Sequence, residues 1–216
     1  MEIQLNLKSI FLLVASVILM GLGVSLIVRA DLGTTAFTAV PLVVSQLSSY
    51  TFGEMAIIFN VLLVIVQIVL LGKKFPFIQY FQLIVSIGLG WSIDFWGGIV
   101  RNLPLSHYGS QLLTIFVACL IIAVSITVQL EADLVNNPGE GIVRAISLRM
   151  NREFDRIKVP FDLSLVIIAL TLSLLTLGEI VGVREGTLIS AVLVGYYMRL
   201  IQNRRLIKKK VKEGVL

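Results

Sequence analysis

The chain has 216 residues, of which 57% are hydrophobic and only 14% charged, and its mean hydropathy is +0.96. These values exclude an ordinary soluble domain and predict an all-α membrane protein, because apolar runs of about 18 or more residues cross the bilayer as helices. The net charge of +5 does not indicate nucleic-acid binding. The basic residues lie between the apolar runs and near the C-terminus, where they suit anionic lipid headgroups.

Six apolar runs follow in chain order, and we interpret each as a transmembrane helix. They cover approximately residues 10–28, 53–71, 77–96, 111–129, 159–177 and 187–200. The first run is longer than the core of a signal peptide and is expected to stay as an uncleaved span. The chain then divides into a first repeat (1–100), a linker (101–110), a second repeat (111–203) and a basic cytoplasmic tail (204–216).

The distribution of lysine and arginine predicts the orientation in the membrane. With six spans and both termini in the cytoplasm, fifteen basic residues fall on the cytoplasmic side, and only Arg29, Arg101 and Arg184 fall outside. Because basic loops stay in the cytoplasm, this imbalance favours that topology.

A repeated triplet indicates that the chain is built from two homologous halves. Ala-Asp-Leu occurs at residues 30–32 and again at 132–134, an offset of 102 positions. The same offset relates Phe52 to Phe154 and Asn60 to Asp162. Each half has three spans, an odd number, so the second half is expected to be inverted relative to the first.

Each triplet leads into a polar stretch and then a short apolar piece, residues 36–47 in the first half and a piece ending near Met150 in the second. Thr34 and Thr35 in one half, and Asn136 and Asn137 before Pro138 in the other, are helix-start signals. Pieces of about 12 to 16 residues are too short to span, which predicts re-entrant half-helices with free N–H groups that suit an anion or polar group. Amphipathic helices at the membrane surface are the alternative that the sequence leaves open.

The polar residues within these segments form the candidate site. Glu140 and Arg144 are four positions apart, so they form either a helix-surface pair or a functional ion pair inside the membrane. Asn60 lies within a span, where it either joins helices or lines a cavity, and Asp162 is its repeat equivalent. We expect the starts of the short pieces to line one polar cavity. The candidate substrate-binding residues are Thr34, Thr35, Asn60, Asn136, Asn137, Glu140, Arg144 and Asp162.

Signals for an enzyme are missing from the sequence. The only histidine, His107, lies in the linker, and neither a Walker loop, a nucleophile elbow nor an H-E-x-x-H motif is present. We therefore expect no catalytic residues, no metal and no cofactor. The expected partners are the lipid bilayer and a small polar or anionic solute, without nucleic acid, and the sequence is compatible with a homodimer.

Three stretches resemble the bacterial YczE/YyaS/YitT-type membrane proteins. They are residues 21–33 (GLGVSLIVRADLG), 137–141 (NPGEG) and 186–195 (GTLISAVLVG). The family usually has a proline soon after the first of these glycine-containing stretches; here Thr34-Thr35-Ala36 stands instead, while Pro138 keeps that role in the second half. The resemblance implies a bacterial inner-membrane protein. Two functions remain in competition: a transporter or permease, and a non-transporting regulator or assembly partner that acts through its basic loop and tail.

Overall fold

The computed structural model describes residues 6–135 and 137–212, with only the backbone described for Asp155 and for residues 204–212. All regular secondary structure in the described chain is helical. Two short 3-10 turns, Gly72–Lys74 and Phe77–Phe81, lie between the third and fourth α-helices. The eight α-helices of this part are α1 (Leu7–Arg29), α2 (Ala36–Leu47), α3 (Phe52–Leu71), α4 (Gln82–Val100), α5 (Tyr108–Ala132), α6 (Pro138–Met150), α7 (Phe154–Leu177) and α8 (Glu185–Lys212).

The centre of the molecule is the packed pair α1 and α5. The Ser125 hydroxyl of α5 donates to the carbonyl of Ser16 at 2.7 Å, while Gly23, further along α1, lies against Ala118 and Ile122. Later residues of α1 therefore meet earlier residues of α5, so the two helices are antiparallel. Their shared core includes Ile27, Ile115 and Cys119, each with 0% exposure, besides the nine further members Met20, Val24, Ala30, Leu32, Ala56, Leu89, Ile93, Ala118 and Ile122.

α4 runs parallel to α1 and antiparallel to α3. Ser92 donates to the carbonyl of Ile18, and further along both helices Arg29 donates to the carbonyls of Arg101 and Leu103 at the end of α4. The start of α3 instead meets the second half of α4, because Asp94 accepts from the backbone N–H of Gly53 at 2.8 Å. The end of α1 and the start of α3 therefore lie toward the same end of α4.

The short helices pack crosswise between the halves. α2 lies against α7, and α6 lies against α3. Their starts also touch: Phe37, the second residue of α2, packs on Gly139, the second residue of α6, so closely that a Cβ on Gly139 would come within 2.5–3.0 Å of the Phe37 ring. The same ring makes an edge contact with Phe59 of α3, with centroids 5.5 Å apart.

The helix starts repeat along the chain. Corresponding helices begin 101 to 103 positions apart, at residues 7 and 108, 36 and 138, 52 and 154, and 82 and 185. Asp31 and Asp133, from the repeated triplet, both adopt the left-handed backbone conformation, with φ of 56° and 47°. The alanine before each aspartate is buried, and so is the leucine after it. The triplet therefore makes the same turn after α1 and after α5.

Five described helices are long and apolar enough to cross a membrane, and they give the chain the character of a multi-helix membrane protein. They are Leu7–Arg29, Phe52–Lys74, Phe77–Val100, Tyr108–Ala132 and Arg156–Leu177. The sixth expected span lies in α8, which is not among the five. The tail is expected to be partly helical, and α8 continues into it without a break, as one helix from Glu185 to Lys212. Residues 196–212 contain neither glycine nor proline, so nothing in them interrupts a helix.

Candidate functional site

A cavity of about 340 Å³, here called the α6 cavity, lies where the end of α5 meets the start of α6. Its polar lining comes from both helices and from the 3-10 turn before α4. These polar residues are Gln79, Gln129, Asp133, Asn137, Glu140 and Arg144. Cavities of about 300 Å³ and above are large enough for a small-molecule ligand.

The start of α6 is fixed by its own sequence and by two glutamines of the first half. Asn137 is the N-cap, its side chain accepting from the N–H of Gly139 at 3.1 Å, and Pro138 follows at the first helical position. The carbonyl of Pro138 accepts from the Gln67 amide of α3 at 3.3 Å. Gln67 and Gln82 also exchange two amide hydrogen bonds, each of 3.2 Å. The amide pair therefore anchors the beginning of α6 to α3 and α4.

Glu140 and Arg144 both line the α6 cavity, but they do not bind each other. Neither belongs to any of the three ion pairs found among the described residues. Arg144 is exposed and Glu140 is half-buried. Burial raises the pKa of the Glu140 carboxyl, and the positive charges of Lys158 and Arg144 oppose that rise. Glu140 and Arg144 therefore leave a carboxyl group and a guanidinium group of the cavity open to a ligand.

The Asp162 carboxylate forms an ion pair with a residue of its own helix. Lys158, one turn earlier on α7, donates to both of its carboxylate oxygens at 2.6 and 2.5 Å. The pair is about one third exposed. Its charges cancel, so it adds no net charge beside Glu140.

A second cavity, here called the α2 cavity, has a volume of about 330 Å³ and lies where the end of α1 meets α2 and the α7–α8 connection. Four of its lining positions, 28, 31, 33 and 42, recur 102 positions later in the lining of the α6 cavity, at 130, 133, 135 and 144. Its polar side chains are those of Asp31, Gln46, Glu179 and Arg184. Because α1 and α5 are antiparallel, the two cavities lie at opposite ends of that helix pair.

Three further candidate residues, Thr34, Thr35 and Asn60, are not among the lining residues of either cavity. Thr34 and Thr35 each share a hydrogen bond of 2.7 Å with the Thr38 hydroxyl, and Thr35 is the N-cap of α2. Asn60 is 1% exposed, and its side-chain oxygen finds no hydrogen-bond donor among the described residues. Asn136 lies outside the residues that the structure describes. Within those residues, no group of three or more His, Cys, Asp or Glu is placed to hold a metal ion.

Sequence reasoning missed the two glutamines and the charged residues of the α7–α8 connection. Gln67 had a signal, since it is the only strongly polar side chain between Asn60 and the end of α3, and such a residue inside a membrane helix usually has a partner. Gln82 had a weaker one, as a polar residue between aromatic and apolar neighbours. Glu179 and Arg184 carried no motif, because only the fold brings them to the end of α1.

Comparison with known proteins supports the resemblance seen in the sequence. A family of unknown function, DUF6198, matches residues 7–203. The chain is also similar to the "Uncharacterized protein YyaS" of Bacillus subtilis (strain 168), with 24% identity over 197 residues that cover 90% of this chain and 94% of that protein. No solved structure matches. The helical membrane architecture and the match over nearly the whole chain place this protein in the DUF6198 family, among YyaS-type membrane proteins.

Proposed function

We propose that the protein is a secondary transporter of the bacterial inner membrane that carries a small polar or anionic solute, and not an enzyme. The observation that carries this proposal is the pair of cavities, about 340 and 330 Å³, at opposite ends of the α1–α5 pair. A carrier that exposes one site alternately to two sides needs an access path from each side. Two cavities lined by equivalent positions of two repeats fit that need.

In this proposal the two halves are inverted repeats of three spans each, with α8 as the sixth span and both termini in the cytoplasm. Support comes from helix directions. α1 is parallel to α4 and α4 is antiparallel to α3, so α1 and α3 run in opposite directions. α2 then joins two ends on the same side and acts as a re-entrant helix. The antiparallel arrangement of α1 and its repeat equivalent α5 fits an inverted second half.

The contact between the short helices is the proposed barrier between the two cavities. Phe37 on Gly139 joins the starts of α2 and α6, and each cavity lies beside one of these helices. A rocking movement of one half against the other would open one cavity and close the other. Irregular backbone at helix starts survives inside a membrane only where protein or water serves its polar groups, and the amide of Gln67 serves this purpose for Pro138.

The test is transport by purified protein in liposomes, with an isotope-labelled hydrophilic extract of bacterial cells as the probe and mass spectrometry of the liposome contents as the readout. We expect a small set of solutes to enter faster than into protein-free liposomes. Arg144→Ala should abolish this uptake and Arg144→Lys should restore little of it, because a lysine cannot reproduce the two-pronged guanidinium contact.

Arg149→Ala is the matched control, since Arg149 lies on the same helix, is exposed and does not line the α6 cavity. It should transport like the original protein. The proposal is wrong if no labelled solute enters above the protein-free level, or if Arg149→Ala loses uptake as Arg144→Ala does.

The second hypothesis, a non-transporting membrane partner, draws on the exposed basic residues where α6 meets α7. Arg149, Arg152 and Arg156 are all exposed there. Among the described side chains, only Arg156 of these three forms an ion pair, with Glu153 at 3.0 Å. The basic tail itself, residues 204–216, lies beyond the described side chains. If this hypothesis holds, replacing Arg149 and Arg152 abolishes the protein's effect in cells, while the liposomes take up no solute.

A further inference from the structure

The two cavities share one charge composition. Among the residues that the structure describes, each is lined by two carboxyl groups and one guanidinium group and by no other ionisable side chain. In the α6 cavity these are Asp133, Glu140 and Arg144. In the α2 cavity they are Asp31, Glu179 and Arg184.

This shared composition is not a simple result of the duplication. Asp31 and Asp133 are repeat equivalents, but the other charges are not. The positions that correspond to Glu140 and Arg144 in the first half are Thr38 and Leu42. The α2 cavity obtains its acid and its arginine from the α7–α8 connection instead, through Glu179 and Arg184. The same set of charges is therefore assembled twice from different positions, which indicates that both cavities accommodate the same ligand.

The carboxylates of both cavities are available to a ligand. Among the described residues, none of the four makes a side-chain hydrogen bond or an ion pair within 4 Å, and only one ion pair involves a lining residue, Arg184 with Glu185 at 3.6 Å. Arg184 also donates to the backbone carbonyl of Asp31 at 2.9 Å. Lys158, whose positive charge also acts on Glu140, is bound by Asp162. Each cavity therefore carries a net negative charge with one cation inside it.

Such a site discriminates among ligands by charge. A simple anion would bind the guanidinium but would be repelled by the two carboxylates of the same cavity. A simple cation would satisfy the carboxylates and leave the guanidinium without a partner. Glu140 and Arg144 lie one helical turn apart, about 5–6 Å between Cβ atoms. A small molecule with charged groups of both signs can contact both.

We propose that the ligand of both cavities is a small zwitterion carrying an ammonium group and a carboxylate group, as in an amino acid. The carboxylate binds Arg144 in the α6 cavity and Arg184 in the α2 cavity, and the ammonium group binds the facing carboxylates. This inference rests on the proposed transport function and narrows its solute to one charge class.

The test is binding by the detergent-purified protein, measured as the shift of its thermal unfolding midpoint with ligand concentration. The probes are two matched series, alanine with propionate and isopropylamine, and 4-aminobutyrate with butyrate and butylamine. In at least one series we expect the zwitterion to bind about tenfold or more tightly than either partner, since each charge-assisted contact contributes at least about that factor.

Variants test each contact separately. Glu140→Gln combined with Glu179→Gln should reduce the zwitterion to the affinity of the anion, and Arg144→Gln combined with Arg184→Gln should reduce it to that of the amine. Arg149→Gln should change neither affinity. The inference is overturned if an anion binds as well as its zwitterion, or if no member of either series shifts the midpoint. Selective binding of a zwitterion without uptake into liposomes would keep this inference and reject transport. Selective uptake of a simple anion would keep transport and reject this inference.

Discussion

At the scale of single residues, the buried amides of Gln67 and Gln82 stabilise the junction between the two halves. Both are almost fully buried, with exposures of 2% and 0%, and together they hold each other and the Pro138 carbonyl. A buried polar group that loses its partner costs about 1–3 kcal/mol. The loss of both amides should therefore cost less than the sum of the two single losses.

We predict that Gln67→Leu lowers the free energy of unfolding by about 1–3 kcal/mol and lowers the thermal midpoint of the detergent-solubilised protein. Gln67→Leu combined with Gln82→Leu should lose less than the sum of the two single changes, because the hydrogen bonds between these two amides can be lost only once. Gln202→Leu, at an exposed position of α8, is the control and should have little effect. Additive losses, or an unchanged midpoint in Gln67→Leu, would contradict the assigned role.

The sequence predicts the role of a single residue where that role depends on its near neighbours in the chain. The helix starts at Thr35 and Asn137 follow from cap chemistry within three positions, and both residues are N-caps in the structure. The role of Asp94 has no such local signal. It accepts from the Thr51 hydroxyl at 2.5 Å and from Gly53 N–H at 2.8 Å, and so caps α3 from a neighbouring helix. No pattern in either segment reveals a contact across about forty positions.

At the scale of elements, α2 and α6 meet through one close contact between an aromatic ring and a glycine. Gly139 gives the Phe37 ring room, because any side chain at this position would overlap it. The contact has a second consequence in the proposed mechanism, since the two short helices cannot separate without exposing the ring. The fit of the Phe37 ring against Gly139 therefore depends directly on how α2 and α6 are placed relative to each other.

We predict that Gly139→Ala destabilises the protein by about 1–3 kcal/mol, the usual cost of overpacking, in a thermal melt. Gly195→Ala is the matched control, since Gly195 is also helical but has open space around it, and there the better helix propensity of alanine should leave stability equal or higher. In a Phe37→Ala background, Gly139→Ala should have little further effect. A similar loss of stability with and without the Phe37 ring would show that the ring is not what requires a glycine at position 139.

Element types and most bounds could be read from the sequence, because apolar runs and breaks at Gly, Pro and Asn are strong signals. α2 begins and ends as the sequence predicts, at residues 36 and 47. The end of α8 is not marked by hydropathy, since its apolar part ends near Leu200 while its helix continues to Lys212. Hydropathy reports where a chain leaves the membrane, but helix propensity decides where a helix ends.

At the scale of the whole molecule, the two halves share their helix order but differ in one packing contact. In the first half α4 packs along α3, with Gly53 and Gly90 so close that a Cβ on either would overlap the other's backbone. Within the described residues, no comparable packing joins α7 to α8. The residues that replace Gly90 and Asp94 in α8 are Val192 and Tyr196, which are 71% and 55% exposed. The repeat in the sequence predicts matching helices, but not this difference in their packing.

Topology is the whole-molecule property on which the proposed mechanism depends. Arg29 at the end of α1 donates to the carbonyls of Arg101 and Leu103, which ties the end of α1 to the α4–α5 connection. Lys73 lies at the opposite end of α4, in the turn that follows α3. The lysines of that turn count toward the cytoplasmic side, while Arg29 and Arg101 count toward the outside.

We predict that a membrane-impermeant maleimide labels Asn102→Cys in intact bacterial cells and labels Lys73→Cys only after the membrane is permeabilised. Both positions are exposed on the protein surface, so a difference in labelling reports the membrane and not burial. Each cysteine is introduced after Cys119→Ala, which removes the native thiol, and the Cys119→Ala protein alone is the control and should not be labelled. Labelling of Lys73→Cys from outside would reverse the orientation. Equal labelling of both positions from outside would mean that α4 does not cross the membrane. The first half would then have an even number of spans, and the second half could not be inverted relative to it.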